Sequence, residues 1–475
     1  MEKTIGQAGG SPRNVTREEV QQQREYAARV KALWQQRGKT PLAYVRTYGC
    51  QQNVSDGERF KGLLVEMGYQ LTSEQENADF ILYNTCAVRE HAQDRVMGNV
   101  GALKHLKARK PDLVIALCGC MMQQEHVAEK IRKSYPHVGL VFGTHALHRL
   151  PQLVLETLTD GKRVFDRDAC DGVIAEGLPV VRDGGVRGWL PVMYGCNNFC
   201  TYCVVPYVRG RERSREPGNI LQEAWEMLEG GVKDITLLGQ NVNSYRGGGM
   251  NFAQLVREAC ALPGEFTLRF MTSHPKDCTK ELLAAMAECD KAARHLHLPF
   301  QSGSNRVLKE MNRQYTRERY LELVRTAREL MPDISLTSDV IVGFPGETYE
   351  EFQETLSLVR EVGFTSLYTF IFSPREGTPA ARMPDPVSRE EKAGWLAELL
   401  AVQEECAARR TADMVGRRLR VLCEGKAKRD GWLIGRTSGN VIIEFPGGAE
   451  WIGRFVSVDV TEALTWIVKG RLALP

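Results

Sequence analysis

The sequence predicts an α/β protein in three parts: an N-terminal parallel α/β sheet domain, an incomplete barrel of six strand–helix units and a small C-terminal β-barrel. Short apolar runs alternate with amphipathic helical segments after Pro41 and again after Gly188, and this alternation is typical of parallel sheets covered by helices. Beyond residue 411 the runs are short, β-like and separated by glycine-rich turns, which favours a small barrel.

The 475 residues are enough for two to four domains, and 25% charged with 43% hydrophobic residues is ordinary for a globular protein. The net charge of +3 is too small to indicate nucleic-acid binding by itself, so RNA contacts have to come from local basic patches. The sequence contains no apolar run of about eighteen residues and no signal-peptide core, so we expect a cytoplasmic protein without a membrane partner. In that reducing compartment the thirteen cysteines are expected as metal ligands or buried thiols rather than disulfides.

The first part of the chain is expected to hold a polar N-terminal extension over residues 1–40, a sheet domain over 41–150 and a linker over 151–186. The extension contains a helical stretch, Thr16–Arg37, with few apolar anchors, so loose packing is expected. Cys170 in the linker has no motif around it. The predicted strands of the sheet domain are Leu42–Thr47, Phe80–Asn84, Leu113–Leu117 and Leu140–Phe142.

Three cysteines follow the first three of these strands, namely Cys50, Cys86 and Cys120. Neighbouring parallel strands end side by side, and ligands of such sheets lie beyond the carboxyl ends, so the three thiols are expected to converge. Packing of each as a core thiol is the alternative, but their equivalent positions favour a metal cluster. Cys118 points to the same face as Cys120, yet a glycine precedes Cys50 and Cys120 alike, so Cys118 is assigned to the core.

The central part, residues 187–410, contains six strand-like runs with helical patterns after them. This succession predicts an incomplete TIM-type barrel, whose reaction face lies at the carboxyl ends of its strands. The loop after the first strand carries Cys196, Cys200 and Cys203 in the spacing CxxxCxxC and is therefore expected at the barrel mouth. The predicted strands are Trp189–Tyr194, Asp234–Leu238, Phe266–Phe270, His295–Leu298, Ile334–Val342 and Ser366–Phe372.

Three thiolates so close in sequence hold three corners of an iron–sulfur cube and leave the fourth iron open to another ligand. A zinc knuckle usually uses CxxC pairs and four ligands, so it fits this spacing poorly, and three buried structural cysteines are the remaining alternative. The sequence favours an open 4Fe-4S cluster on Cys196, Cys200 and Cys203.

The last part, residues 412–475, carries ten Lys/Arg and seven Asp/Glu, a net charge of +3. Small β-barrels often hold single-stranded RNA through basic and aromatic side chains, although a structural cap domain would have a similar composition. The predicted strands are Arg418–Cys423, Trp432–Thr437, Val441–Glu444 and Phe455–Val460.

The cysteine loop continues as Cys203-Val-Val-Pro-Tyr-Val-Arg-Gly-Arg-Glu-Arg-Ser-Arg215, and it resembles the radical SAM superfamily, in particular its methylthiotransferases. The three parts of the chain match a three-cysteine domain, a radical SAM barrel and a TRAM-like RNA-binding barrel, so the resemblance runs from about residue 41 to the end. The motif Gly49-Cys50-Gln51-Gln52-Asn53 is similar to the subgroup that modifies isopentenyladenosine in tRNA. The subgroups acting on threonylcarbamoyladenosine or on a ribosomal-protein aspartate carry Lys-Val-Asn or Pro-Lys-Asn there.

The resemblance implies an enzyme that attaches a methylthio group to carbon 2 of isopentenyladenosine next to the anticodon. It implies two S-adenosylmethionine molecules and two 4Fe-4S clusters as cofactors, which supply the hard chemistry while the protein aims it. The cluster on the CxxxCxxC loop would cleave S-adenosylmethionine to a radical, and the cluster on the upstream three cysteines would deliver the sulfur. The implied partners are the tRNA anticodon stem-loop, an electron donor such as flavodoxin and a sulfur carrier.

Polar and glycine-containing loops at the ends of the second to fifth barrel strands fit S-adenosylmethionine binding in this family. Taken singly, such a loop is more often a turn than a site, but their coincidence with successive strand ends favours a site. His274, His295 and His297 are expected to be structural, because radical chemistry does not need them. The expected cofactor-binding residues are Gln240, Asn241, Ser273, Gln301, Ser302, Asp339 and Gly343.

Four arginines alternate after the cysteine loop, namely Arg209, Arg211, Arg213 and Arg215. In an extended segment they share one face and are expected to contact RNA phosphates. Pairing with Glu212 and Glu216, or with the carboxylate of the cofactor, is an equally weighted alternative.

Two other functions stay open at this stage. The nearest is the same chemistry on threonylcarbamoyladenosine in tRNA or on a ribosomal-protein aspartate, and Gln51 and Gln52 argue against it. A non-catalytic iron–sulfur protein that binds RNA and senses redox state is a different class, and it leaves the strand-end loops without a purpose. The sequence has no GxxxxGK motif, which argues against an ATP-driven enzyme.

Overall fold

The computed structural model describes residues 13–87, 90–167 and 172–473, without the side chains of 90–92. Cys170 lies outside the described residues. The chain forms two compact units. The described residues up to Asp183, together with Tyr194–Asn197 and Cys203–Arg213, form the first unit, and Gly184–Met193, Asn198–Tyr202 and the described residues from Ser214 onward form the second.

Both compact units contain α-helices. They are α1 (Arg17–Gln36), α2 (Gln51–Glu66), α3 (Glu90–Arg109), α4 (Glu125–Ser134), α5 (Leu150–Asp160), α6 (Val205–Arg209), α7 (Pro217–Glu229), α8 (Phe252–Ala261), α9 (Lys280–Glu288), α10 (Asn305–Glu310), α11 (Arg317–Leu330), α12 (Tyr349–Val362) and α13 (Arg389–Ala412). Among the described residues, no helix combines the length and the apolar character needed to cross a membrane.

Both compact units also contain β-strands. They are β1 (Arg13–Asn14), β2 (Leu42–Thr47), β3 (Gln70–Leu71), β4 (Phe80–Thr85), β5 (Val114–Gly119), β6 (Leu140–Phe142), β7 (Val164–Asp166), β8 (Val173–Ile174), β9 (Arg187–Pro191), β10 (Met193–Tyr194), β11 (Arg213–Ser214), β12 (Asp234–Leu238), β13 (Arg246–Gly247), β14 (Met250–Asn251), β15 (Thr267–Phe270), β16 (His295–His297), β17 (Ser335–Val342), β18 (Ser366–Ile371), β19 (Arg418–Lys426), β20 (Trp432–Thr437), β21 (Ile442–Pro446), β22 (Phe455–Ala463) and β23 (Ile467–Leu472).

The first unit is built on a parallel sheet with the strand order β3-β2-β4-β5-β6-β7. Helices cover both faces, because Phe80 and Leu82 of β4 pack with α1, α2 and α5, while Ile81 and Tyr83 pack with α3 and α4. A central strand that is buried on both faces needs a nearly continuous apolar run, which is what β4 and β5 show. The predicted sheet domain is therefore confirmed.

Helix α1 is part of the core of the first unit. Thr16 caps its first turn and forms a reciprocal capping box with Glu19. Ala27, Val30 and Trp34 are buried on the face that packs against the sheet domain. The expectation that this polar stretch packs loosely is wrong, since three apolar residues at helical spacing are enough to anchor one face.

The sheet domain also extends further along the chain than expected. Helix α5 buries Leu150, Leu153 and Val154 in the core, and β7 adds a sixth strand by pairing with β6. Both elements lie within the stretch 151–186 that was assigned to a linker. Helix α5 and strand β7 therefore belong to the sheet domain and not to a linker.

The second unit contains the six predicted parallel strands in chain order. Strands β9, β12 and β15 form one parallel set, and β16, β17 and β18 form another. A single bridge between Leu268 and Ala292 lies between the two sets. This arrangement confirms the predicted incomplete (β/α)6 barrel.

The C-terminal part of the second unit is a closed five-stranded barrel with the order β19-β20-β21-β23-β22. Its interior is filled by Val421, Ile443, Phe445, Val458 and Val468. Four of the strands were predicted, and β23 was missed because its six residues include Lys469, Gly470 and Arg471 in succession, which leaves no apolar run long enough to mark a strand.

Arg269 joins this small barrel to the larger one. Its Nε lies 2.6 Å from Oδ2 of Asp234, the first residue of β12. Its Nη1 and Nη2 donate hydrogen bonds to the carbonyl oxygens of Ser438 and Thr437, both at 2.8 Å. The guanidinium thus fixes the turn after β20 to the amino ends of two barrel strands.

Candidate functional site

The three upstream cysteines lie at one edge of the parallel sheet. Cys50 immediately precedes α2, Cys86 follows β4, and Cys120 follows β5, and the strands before them are neighbours in the sheet. The Cys50 and Cys86 side chains share a hydrogen bond, and Cys50 Sγ also lies 3.3 Å from Asn53 Oδ1. The structure therefore brings together the residues that the sequence separates by thirty-odd positions.

Close approach of the strand ends explains the glycines before Cys50 and Cys120. A Cβ atom on Gly49 would lie 2.7 Å from Cys86 Cβ. Gly119 has a φ of +94°, and a Cβ there would overlap the carbonyl oxygen of Thr85. Only glycine tolerates both the conformation and the contact, so the Gly-Cys pairs follow from the geometry of the edge.

A pair of asparagines fixes the loop of Cys50 to the end of β4. Asn53 Nδ2 donates to Asn84 Oδ1 at 3.0 Å and to the carbonyl oxygen of Thr85 at 3.1 Å, and Asn84 Nδ2 donates to the Asn53 carbonyl oxygen at 2.7 Å. Both side chains are fully buried. Asn84 was missed as a site residue, although a polar residue at the end of the apolar run Phe80–Tyr83 is a usable signal.

Arg209 contacts the cysteines and not solvent. It is 5% exposed, its Nε donates to Cys120 Sγ at 3.0 Å, and its Nη2 lies 2.8 Å from Asp56 Oδ2. The hydrogen bond with Cys86 and the positive charge of Arg209 lower the pKa of Cys50 to about 6. Burial raises the pKa of Cys120, and Arg209 opposes that rise.

The prediction that four alternating arginines form an RNA-binding face is wrong for Arg209 and Arg215. Arg209 ends the short helix α6, so the segment is not extended. Arg215 is buried against Glu223 at 2.8 Å and the carbonyl oxygen of Pro191 at 2.7 Å. Arg213 donates to the carbonyl oxygens of Val173 and Arg209.

Arg211 is the one of the four arginines that is exposed. The acidic partners of the two buried arginines are Asp56 and Glu223, and neither is among the glutamates that the sequence suggested.

The cysteines of the CxxxCxxC loop are divided between the two units. In the first unit, Cys196 is buried and its amide donates to the Gly210 carbonyl oxygen at 3.1 Å, while Cys203 is half-buried. In the second unit, Cys200 is buried and accepts a hydrogen bond from Arg313 Nη1 at 3.5 Å.

Arg313 is a further residue that sequence reasoning missed. Its Nη2 donates to the Pro299 carbonyl oxygen at 2.8 Å, and its Nε donates to the hydroxyl of Tyr315 at 3.1 Å. Arg313 lies in a turn with no recognisable motif, more than a hundred residues from Cys200, so local patterns carry no signal for this contact.

The expected cofactor-binding residues lie at the carboxyl ends of four barrel strands. Two residues there, Ser273 and His274, are buried and keep an atom, Oγ and Nε2 respectively, without a hydrogen-bond partner. The remaining positions follow or end neighbouring strands: Gln240 and Asn241 after β12, Gln301 and Ser302 after β16, Asp339 within β17 and Gly343 directly after it.

Glu347 shapes the loop after β17. Its Oε2 accepts hydrogen bonds from the amides of Gly343 at 2.6 Å and Phe344 at 3.2 Å. Burial raises the pKa of Glu347 to about 7. Gly343 has a φ of +69°, so the glycine and the carboxyl group together define a tight turn at the strand end.

The barrel histidines bond to the protein framework. His295 Nε2 and His297 Nδ1 lie 2.9 and 3.0 Å from the hydroxyl oxygen of Thr337. Burial lowers the pKa values of His295 and His274 well below the ordinary value. The contacts with Thr337 agree with the structural role expected for His295 and His297, whereas His274 keeps a buried Nε2 without a partner.

The cysteines at the sheet edge fit an iron–sulfur cluster better than a single metal ion. Within the described part of the chain, no group of three or more Cys, His, Asp or Glu side chains is close enough to hold a single metal ion. A 4Fe-4S cluster places a different iron on each thiolate. The thiols at the sheet edge, with a buried cation beside Cys120 and a lowered pKa at Cys50, have the donor chemistry that such a cluster needs.

The chain is similar to known proteins over most of its length. Residues 190–359 match the radical SAM superfamily, residues 42–143 match the uncharacterized protein family UPF0004, and residues 412–473 match the TRAM domain.

Two similar proteins carry the same description, tRNA-2-methylthio-N(6)-dimethylallyladenosine synthase. The protein of Acetivibrio thermocellus is 48% identical over 96% of this chain and 97% of its own length. That of Thermoanaerobacter sp. is 46% identical over 96% of this chain and 98% of its own. A solved structure of the radical S-adenosylmethionine methyltransferase TsrM from Kitasatospora setae is similar in fold, with a TM-score of 0.54 and 14% identity over 72% of this chain and 77% of that one.

Proposed function

The chain belongs to the radical SAM methylthiotransferases, in the family of the tRNA-2-methylthio-N(6)-dimethylallyladenosine synthases, and from this premise we propose that it methylthiolates carbon 2 of isopentenyladenosine next to the tRNA anticodon. The observation that carries the proposal is the meeting of Cys50, Cys86 and Cys120 at one sheet edge, in a chain that also holds a CxxxCxxC loop. An enzyme that only generates a radical has no use for the second thiol site.

The two cysteine sets have separate roles in this proposal. When bound, the cluster on the CxxxCxxC loop supplies the electron that cleaves S-adenosylmethionine, and the cluster on the upstream cysteines supplies the sulfur. Cys200 is held by Arg313, so its thiolate faces a fixed positive charge. Cys50 is held by Asn53, which is itself fixed by Asn84.

Strand-end groups of the larger barrel are proposed to bind S-adenosylmethionine. Ser273 Oγ and His274 Nε2 are buried polar atoms without a protein partner, and a buried polar group costs about 1 to 3 kcal/mol if it stays unsatisfied. A ligand with amino, carboxylate and ribose groups would satisfy them. Gly343 and the turn held by Glu347 follow β17 at the same carboxyl edge of the strands.

The C-terminal barrel is proposed to bind the tRNA. Two arginines lie over aromatic rings on it, Arg420 at 3.7 Å from the ring centre of Phe455 and Arg429 at 4.5 Å from that of Trp432. Trp466 is also exposed. Cationic and aromatic side chains on one small barrel suit phosphates and unstacked bases. Arg211 in the first unit remains a candidate phosphate contact.

A cytoplasmic setting follows from the proposed substrate. The reaction needs an electron donor, for which a flavodoxin is proposed, and a sulfur carrier that replaces the sulfur consumed in each turnover. The substrate region is the anticodon stem-loop that carries isopentenyladenosine.

The test is a reconstitution without oxygen. Reduced protein with S-adenosylmethionine is given tRNA bearing isopentenyladenosine, and in parallel tRNA bearing threonylcarbamoyladenosine or unmodified adenosine. Mass spectrometry of the digested tRNA is expected to show a methylthio gain in the first sample only. Production of 5′-deoxyadenosine without that gain would reject the substrate, and a gain on threonylcarbamoyladenosine would support the alternative specificity.

Cys50→Ala separates the two roles. The variant is expected to form 5′-deoxyadenosine and lose methylthio transfer, because the CxxxCxxC loop stays intact. Cys260→Ala, which removes a buried thiol of α8 far from both motifs in sequence, is the matched control and is expected to keep both activities. Loss of both activities in Cys50→Ala would contradict the division of roles.

A further inference from the structure

A buried chain of polar contacts leads from Gln52 to Cys120 within the first unit. Gln52 Nε2 donates to Asp56 Oδ1 at 3.2 Å, Asp56 Oδ2 lies 2.8 Å from Arg209 Nη2, and Arg209 Nε donates to Cys120 Sγ at 3.0 Å. All four side chains are buried. The contacts connect helix α2, helix α6 and the end of β5.

The surroundings of Arg209 show that its guanidinium contacts the Cys120 thiol and is shielded from solvent. Val204 and Val208 pack with Cys120 and Ala87 in one small apolar cluster, so α6 covers the cysteine on the side from which the arginine reaches it. A buried ion pair adds little net stability, because desolvation offsets much of the attraction. A guanidinium can use one nitrogen for a carboxylate while another donates elsewhere, which a lysine cannot do in fixed geometry.

We propose that Arg209 and Asp56 form a positioning pair that sets the electron density on the Cys120 sulfur and thereby the reduction potential of the cluster held by Cys50, Cys86 and Cys120. The inference rests on the proposed function, since it assumes that these cysteines carry a cluster. It assigns to the segment after the CxxxCxxC loop a role at the upstream cysteines.

The sign of each contribution follows from charge. A cation that donates a hydrogen bond to a ligand sulfur stabilises the more negative, reduced state of the cluster, so Arg209 raises the potential. Asp56 carries the opposite charge and moderates that effect. Arg209 and Asp56 therefore shift the reduction potential in opposite directions. A merely structural pair would shift it in the same direction when either partner is lost.

The CxxxCxxC loop offers a contrast. Arg313 donates to Cys200, but its other bonds go to the carbonyl oxygen of Pro299 and to the hydroxyl of Tyr315. Neither group carries a formal negative charge. Arg209 thus differs from Arg313 in being paired with a carboxylate, that of Asp56. Substitution of Asp56 can therefore change the effect of Arg209 on Cys120 without replacing Arg209.

The experiment uses the full-length protein in which Cys196, Cys200 and Cys203 are replaced by alanine, so that only the upstream cluster gives a signal. Iron content and electron paramagnetic resonance during a redox titration are measured in this parent and with Arg209→Gln, Arg209→Lys or Asp56→Asn added. Arg149→Gln, which breaks the ion pair with Asp166 in the same unit, is the matched control.

Arg209→Gln is expected to shift the midpoint to more negative potential by at least a tenfold change in the reduced-to-oxidised ratio, about 59 mV for one electron. Asp56→Asn is expected to shift it to more positive potential, Arg209→Lys to fall between parent and Arg209→Gln, and Arg149→Gln to leave it unchanged. If Arg209→Gln does not assemble a cluster, the direction of the midpoint shift in Asp56→Asn decides whether the proposed positioning pair stands.

The outcomes separate the two proposals. A parent protein without about four irons per chain would reject the upstream cluster and with it the proposed function. A loaded parent in which Arg209→Gln and Asp56→Asn shift the midpoint in the same direction, or not at all, would reject the positioning pair alone.

Discussion

Asn53 and Asn84 hold each other by reciprocal hydrogen bonds, side chain to side chain at 3.0 Å and side chain to backbone at 2.7 Å. The first residue lies in the first turn of α2, directly after Cys50, and the second lies in β4, the strand that precedes Cys86. The distance between the two cysteines therefore depends on two amides and is not left to the flexibility of the loop.

Replacing Asn84 by leucine is expected to lower the free energy of unfolding by about 2 to 3 kcal/mol, because the buried Asn53 amide and the Asn53 carbonyl oxygen would each lose the hydrogen bond that Asn84 provides. The upstream cysteines should also bind less iron when the CxxxCxxC loop is replaced by alanines. Urea unfolding and iron analysis measure the two effects. Asn99→Ala, which removes a half-buried bond to the hydroxyl of Tyr48 in the same unit, is the control and should leave the iron content unchanged.

The glycine before Cys120 is expected to resist substitution. Gly119→Ala would place a Cβ against the Thr85 carbonyl oxygen at a positive φ, and we expect a loss of at least about 2 kcal/mol in unfolding free energy. Gly98→Ala is the opposite case, because Gly98 lies in helix α3 with open space around it. That variant should be more stable by about 0.5 to 1 kcal/mol. Equal thermal midpoints for the two variants would contradict the strand-end geometry.

Glu347 is expected to make stability depend on pH near neutrality. Its pKa in the folded protein is about 7, above the ordinary 4.5, so between these values the folded state keeps a proton that the unfolded chain has lost. Stability from this group is therefore present below pH 4.5 and falls as the pH rises toward 7, by about 3 kcal/mol in total. Glu347→Gln keeps an acceptor for the Gly343 amide and cannot ionise.

The wild-type protein and Glu347→Gln should thus differ more in unfolding free energy at pH 8 than at pH 5, in favour of the variant. Urea unfolding at the two pH values measures this difference. The pKa of Glu351 is lowered by its hydrogen bond with Arg306. The variant Glu351→Gln is therefore a contrast and should have a lower free energy of unfolding than the wild type at pH 8. A difference between wild type and Glu347→Gln that does not change with pH would exclude a raised pKa.

Much of the fold could be predicted because the relevant signals are local. The apolar runs of β2, β4 and β6 are long enough to mark strands, and the Gly-Cys pairs mark where two of the strands end. Position in a parallel sheet then brings Cys50, Cys86 and Cys120 together by topology alone.

The contacts of the arginines could not be predicted in this way. Arg209 lies 89 residues from Cys120, and the period of two that grouped it with Arg211 assumes an extended chain. Pro206 in the first turn starts a short helix instead, which turns Arg209 inward. The close packing of helix α1 was not predicted for a related reason. The burial of Trp34 depends on neighbours that only the folded sheet provides.

The attachment by Arg269 has a consequence for modular exchange. The guanidinium binds the main-chain carbonyl oxygens of Thr437 and Ser438, and the Ser438 hydroxyl accepts a further hydrogen bond from the Arg294 amide at 2.9 Å. Gly439 is a constraint, because a Cβ there would lie 2.5 Å from the hydroxyl oxygen of Ser335. A C-terminal barrel from another enzyme is therefore expected to attach in the same way only if it keeps the backbone course of the turn, Ser438 and Gly439.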